Sequence, residues 1–318
     1  MQLEYDPQEV RFVQEEVRKN FIKSFILVAA LIVIVMALSY GIGYFLNDIP
    51  MGIMIGVIIS VVVIPIQIMT GKMAILAMSK GRPANPEDIR ERRAMHLLEG
   101  LAISAGLKRT PELYIIPSRM PNAFASGLSE NDAFVGVTEG LLEMMDDQEL
   151  EGVLGHEMAH IVHRDIMLNQ LVVALISVIL LLSIVLERVC LIASFSGNSS
   201  RRSNRDNNGG AAIIMVLVLL SILIRPIAML ISSLLQMSIS RTREYAADAF
   251  SVRLCSYNEG LARALEKLGG RKRPYNKEES ESLGGHEMAC MYINIPGENL
   301  FSTHPPIEER VRRIRNMY

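Results

Sequence analysis

Four stretches of the chain are apolar at nearly every position, and they come in two pairs. Residues 24–46 contain FILVAALIVIVMALSYGIGYF without a charge, and residues 51–71 read MGIMIGVIISVVVIPIQIMTG. Each meets the ~20 residues a helix needs to cross a bilayer. Only Asn47 to Pro50 separate them, which predicts a tight hairpin, and Pro65 predicts a kink in the second span. A third run covers about 168–186, and a fourth about 211–237, interrupted by Arg225 and Pro226. The first run exceeds the length of a signal peptide and has no small-residue cleavage site after it, so it reads as a retained span.

Outside these runs the pattern becomes amphipathic. Asn85, Pro86, Glu87 and Asp88 mark a helix start, with the helix reaching about Ala105. Short runs at Glu112–Ile116, Asn122–Ser126 and Ala133–Val137 predict strands. Asp146 reads as the N-cap of a helix to Asp165, with Asp147 and Glu149 in its first turn and Leu150, Val153, Leu154, Met158, Ile161 and Val162 apolar. Pro306–Met317 reads as a basic amphipathic helix whose arginines form a solvated face, available to acidic headgroups. The expected divisions are an N-terminal arm 1–23, a membrane hairpin 24–79, a catalytic part 80–167, a second hydrophobic hairpin 168–237 with a polar loop 187–210, and a second catalytic part 238–318.

Composition sharpens the class. Of 318 residues 50% are hydrophobic, the formal net charge is −2 and the mean hydropathy is +0.28. These values predict a membrane protein with the lipid bilayer as partner, and not a nucleic-acid binder. Arg11, Arg18, Lys19 and Lys23, then Lys80, Arg82, Arg90, Arg92 and Arg93, then Arg241 and Arg243 flank the spans and assign those segments to the cytoplasm. Arg188, Arg201, Arg202 and Arg205 oppose that assignment at the third connection, leaving runs three and four open between full crossings and a re-entrant hairpin. Cys190, Cys255 and Cys290 form no disulfide framework. Residues 196–210 are polar and of low complexity, and predict disorder.

The chemistry concentrates at GHEMAH, residues 155–160. On a helix His156 and His160 share one face, four apart, and Glu157 sits ~100° round from His156. This is the HExxH pattern, in which two imidazoles hold Zn²⁺ and the glutamate serves as base. A catalytic zinc takes ~three protein ligands and an open position. His163 and Ile166 break the pattern that places a histidine six residues on. Glu244 is the better candidate: about 36 residues separate His160 from Ser196 and 34 separate Gly210 from Glu244, so two arms of nearly equal length return to one level. Arms of ~50 Å cross the bilayer and place the site just off its cytoplasmic face. The competing reading pairs Glu244 with Arg241 or Arg243 on a solvated face. Asp248, one turn on, is placed to orient a ligating histidine. His163 is a further candidate for the metal, against a surface or supporting role. GHEMA recurs at 285–289 with Cys290 in place of the second histidine, and no role is assigned to it. The strand 122–126 offers an edge, at Asn122 and Ala123, where an extended peptide could pair, or it only packs the helix.

These motifs together resemble the HtpX-type membrane zinc endopeptidases of prokaryotes, in the gluzincin group that also holds the type I CAAX prenyl proteases. The resemblance rests on PNAFASG at 121–127, AFVGVTEGLL at 133–142, HEMAHIVHRD at 156–165, REYAAD at 243–248 and FSTHPPIEER at 301–310. It implies an α-helical integral membrane protein with a mainly helical α+β zincin-type catalytic domain on the cytoplasmic side of the inner membrane. It further implies one Zn²⁺ per chain and hydrolysis of damaged or unfolded membrane proteins in envelope quality control. His304, in Ser-Thr-His-Pro-Pro, is a candidate oxyanion donor or a structural turn. The rival readings are a prenyl-protein protease, for which the spans are few, and a non-catalytic zinc-binding scaffold, against which Glu157 stands.

Overall fold

The computed structural model describes residues 7–45, 48–167, 170, 171, 177, 178, 184, 188, 241–270 and 305–317. Contacts divide the chain into two units, Met1–Phe25 with Thr70–Leu171 and Gln236–Tyr318, and Ile26–Met69 with Val172–Leu235. Most of the third and fourth apolar runs, the predicted disordered loop 196–210, His304 and the second GHEMA lie outside the described residues.

Helix α1 (Pro7–Phe45) has 39 residues and becomes uniformly apolar from Ser24. After the turn at Asp48 the chain is helical again through α2 (Ile49–Ile58), a π-helical turn (Ile59–Val63) and α3 (Ile64–Met69). Ser24–Gly41 and Ile49–Met69 are long and apolar enough to cross a membrane. Many of their apolar side chains point outward: Phe25, Val33, Val61 and Met69 are 67–76% exposed. Lipid is the medium that suits such a surface.

Small residues make the predicted hairpin tight. A Cβ on Gly52 would lie 2.5 Å from the Ser39 carbonyl oxygen and 2.7 Å from Gly43 Cα, so the two backbones touch there. Asp48 caps α2, accepting from Met51 N at 3.0 Å. The irregularity expected at Pro65 is a π turn just before it. Proline cannot donate to Val61 and crowds its carbonyl, and the wider turn holding Val61 absorbs the misfit.

The other unit is α+β. After α4 (Gly71–Ser79) come β1 (Arg82–Pro83), α5 (Ile89–Ser104), β2 (Glu112–Ile116), β3 (Ala123–Ser126), β4 (Phe134–Thr138), α6 (Glu139–Met144), α7 (Asp147–Val162), α8 (Arg241–Cys255), α9 (Glu259–Gly269) and α10 (Ile307–Arg315). The sheet order is β1-β2-β4-β3: β2 and β4 are parallel, and both outer strands are antiparallel to their neighbours. Ala123 faces Val137 and Ser126 faces Phe134, which leaves β3 at one edge. The three predicted strands are present within a residue of their expected limits; β1 is additional. It is tied to α5 by Arg82, whose guanidinium forks the buried Glu91 carboxylate at 2.6 and 2.9 Å.

Helix α7 is the centre of this unit, packed against α5, α8, α9 and β3. Its start is a capping box: Asp146 accepts from Glu149 N, and the Glu149 carboxylate accepts from Asp146 N, both at 2.9 Å. Gly152 and Gly155 let two helices approach closely. A Cβ on Gly152 would meet the α9 backbone at Leu261 N at 2.6 Å, and one on Gly155 would meet Ser251 Oγ of α8 at 2.7 Å.

Candidate functional site

The close approach of α8 sets its first two turns level with the last two of α7. His156, Glu157 and His160 come from α7, Glu244 and Asp248 from α8, and Arg310 from α10. His156, His160 and Glu244 each offer a ligand atom within 4.8 Å of the others. His156 Nε2 and His160 Nε2 are 3.3 Å apart, and each lies 3.7 Å from a Glu244 oxygen. A tetrahedral ion ~2.1 Å from each ligand requires separations of ~3.4 Å, so the set fits one zinc-sized ion.

The far sides of the histidines support the same reading. His156 Nδ1 faces Asp248 Oδ1 at 3.0 Å, and His160 Nδ1 faces Asp165 Oδ2 at 3.0 Å. With each Nδ1–H donated to its aspartate, the two Nε2 atoms face each other and a carboxylate. That arrangement suits a shared cation, a proton or a metal ion. Arg310 forks Asp248 at 2.6 and 2.9 Å, and Arg243 holds Asp165 at 2.9 Å. Among the described residues, four buried carboxylates, Glu157, Asp165, Glu244 and Asp248, meet two buried guanidiniums. Among these groups the carboxylates outnumber the guanidiniums by two.

The titration behaviour follows from this charge distribution. Burial pushes His156 down to about 4 against the hydrogen bond to Asp248, and the Arg310 charge adds to the drop. Burial also lowers His160, but the Asp165 hydrogen bond and the charges of Glu244, Asp165 and Glu157 outweigh it and lift the group to about 9. The anionic cluster therefore attracts positive charge at His160, as a proton or as a metal ion. Burial raises the Asp165 and Asp248 carboxyls, but their histidine and arginine partners hold both below the ordinary range.

Of the other expected site residues, Glu157 is buried beside His160 and Arg310, to both of which its charge couples. Asn122 and Ala123 are buried at the start of the edge strand: Asn122 N donates to Thr138 Oγ1 at 2.9 Å, and Ala123 N to Asn122 Oδ1 at 3.0 Å. His163 is outside the ligand group and is not at the surface; its ring packs edge-on against Phe250, 5.4 Å away. Glu244 is not on a solvated face, and Arg243 pairs with Asp165 instead.

Three residues escaped the sequence reading: Asp165, Arg243 and Arg310. The arginines of the last helix were expected in solvent, yet Arg310 is fully buried. A signal existed. Arg310 falls in the stripe of Ile307, Val311 and Ile314, and Arg243 in that of Ala247, Phe250 and Leu254; a charge inside an apolar stripe marks a buried partner.

The family model described as Peptidase family M48 matches residues 88–318. A Protease HtpX homolog of Tropheryma whipplei is 38% identical over 253 residues, covering 78% of this chain and 79% of that protein. A second, from Streptococcus uberis, is 36% identical over 248 residues, covering 76% and 78%. Among solved structures, the crystal structure of S. mikatae Ste24p aligns with a TM-score of 0.43 at 20% identity, over 94% of this chain and 66% of that one. On the family match and these relatives, the chain belongs to peptidase family M48, as a membrane metalloprotease of the HtpX type.

Proposed function

We propose that the protein is a zinc endopeptidase in which His156, His160 and Glu244 hold one Zn²⁺ and Glu157 is the general base. The observation that carries this is the convergence of the three ligand atoms at separations suited to a tetrahedral ion, with Glu157 on the same helix. Zinc held there supplies Lewis acidity toward the scissile carbonyl and acidifies water. The Glu157 carboxylate takes a proton from the attacking water and returns it to the leaving amine nitrogen. His156 and His160 stay fixed through Asp248 and Asp165, so the site is organised before substrate arrives. Edge strand β3, packed on α7, is suited to pair an extended peptide at Asn122 and Ala123. A substrate carbonyl there replaces the Asn122 side chain on the Ala123 N–H. His304 is proposed as the oxyanion donor.

The catalytic parts, 80–167 and 238–318, are proposed to lie on the cytoplasmic side of a prokaryotic inner membrane, supported by the basic residues that flank the spans. Damaged or unfolded membrane proteins are the proposed substrates, in envelope quality control; the support is the HtpX-type resemblance together with the lipid-facing helices.

The test is purification in detergent with zinc and cleavage of unfolded casein. Glu157→Gln should keep stoichiometric zinc and lose ~100- to 10,000-fold in turnover. Glu244→Ala should lose the metal. Near wild-type cleavage by the first variant removes Glu157 as base, and full zinc in the second moves the third ligand elsewhere.

A further inference from the structure

His160 is held less firmly by its own helix than His156. It sits in the last turn of α7 and is 14% exposed, whereas His156 is fully buried. Helix ends fray, so an outside group must fix the direction of its Nε2. Asp165 is that group, although five residues on along a helix would carry it ~140° off the His160 face. The helix stops first. His163 ends α7, and Arg164 adopts a left-handed conformation (φ 58°) that few side chains other than glycine accept. This turn returns Asp165 Oδ2 to within 3.0 Å of His160 Nδ1. The other oxygen, Oδ1, accepts from Arg243 Nη1 at 2.9 Å.

We propose that Arg243 is a positioning residue of the metal site, acting through Asp165 to fix the orientation of His160; this rests on the His156, His160, Glu244 ligand reading. Arg243 is buried, and its Nε and Nη2 have no hydrogen-bond partner among the described residues. Against an apolar replacement of both partners a buried ion pair contributes little net free energy, so stability alone does not explain a guanidinium so incompletely satisfied. It is explained by the ionised carboxylate it must hold in place. Arg243 also directly precedes Glu244, so one turn of α8 presents a ligand to the ion and steadies the opposite ligand from behind. His156 has a parallel arrangement in Asp248 and Arg310, but that pair is joined by two hydrogen bonds, whereas Asp165 and Arg243 share one.

The experiment measures zinc affinity by chelator competition on the full chain in detergent, together with the visible spectrum of the Co²⁺-loaded protein. Arg243→Ala and Asp165→Ala should each weaken zinc binding ~10- to 100-fold and alter the cobalt bands. Arg243→Lys should recover part of the loss, because one hydrogen bond and the charge remain. The double variant should bind no more weakly than Asp165→Ala, because Arg243 acts through that carboxylate. Arg241→Ala, exposed and two residues earlier, is the control expected at wild-type affinity. If Arg243→Ala misfolds, Arg243→Gln carries the same test. Wild-type affinity in the arginine variants, or fold-losses that multiply in the double variant, overturns the proposal. Wild-type affinity in His160→Ala overturns the ligand reading itself, a different failure from an inert Arg243.

Discussion

A guanidinium removed from water needs its charge answered nearby, and Arg310 is answered by the fork to Asp248 with Glu244 3.7 Å beyond. Taking away only the arginine leaves Asp248 ionised and buried beside His156. Arg310→Met should therefore lower the unfolding free energy by ~3–5 kcal/mol, measured by denaturant titration of the detergent-solubilised protein. Adding Asp248→Asn should recover much of that loss, since the uncompensated charge is then gone. A single variant as stable as wild type would reduce the pair to a surface-like contact. His156, Glu157 and His160 were legible because helical spacing alone puts them together. Glu244 was reached by counting two arms of nearly equal length, which lie almost wholly outside the described residues. Asp165 was hidden: its approach depends on the left-handed Arg164, a backbone choice that an arginine does not advertise. Arg310 was misread because charge was taken as a sign of solvent, and Arg243 was read only as a marker of topology, when their place in apolar stripes said otherwise.

Among the elements, those carried by caps and regular periods were readable. The capping box at Asp146 and Glu149 marks the start of α7, and short runs of strand-forming residues mark the three main strands. Strand β1 has two residues, one of them Pro83, and too little length to show a period; the Arg82–Glu91 fork holds it. In the membrane hairpin, proline forecast the irregularity but not its form as a π turn. The contact between α1 and α2 gives a matched comparison. A side chain on Gly52 runs into the Ser39 carbonyl, whereas a Cβ on Gly41 meets nothing within 4 Å. Gly52→Leu should cost ~1–3 kcal/mol or more through overpacking, read as a lower melting temperature, and Gly41→Leu should be close to neutral. Equal effects would mean that the close approach is not what holds the hairpin.

For the whole molecule, basic residues predict the arrangement in the membrane. Cysteine-accessibility labelling should find residue 150 and the C-terminal helix on the cytoplasmic side and residue 200 outside. Arg188, Arg201, Arg202 and Arg205 weigh against the last of these, so cytoplasmic labelling at 200 would convert runs three and four into a re-entrant hairpin.

The unit that holds the site is assembled from separated stretches of chain, with Thr70–Leu171 completed by Gln236–Tyr318. With Glu244 as the third ligand and Arg310 behind His156, the time order of synthesis matters. A ribosome releases both histidines and the base well before Glu244, and the two hydrophobic runs emerge in between. During that interval the nascent chain carries a recognisable motif but no complete metal cage. On the proposed ligand set, the chain would complete its metal cage only after its last hydrophobic run has left the ribosome.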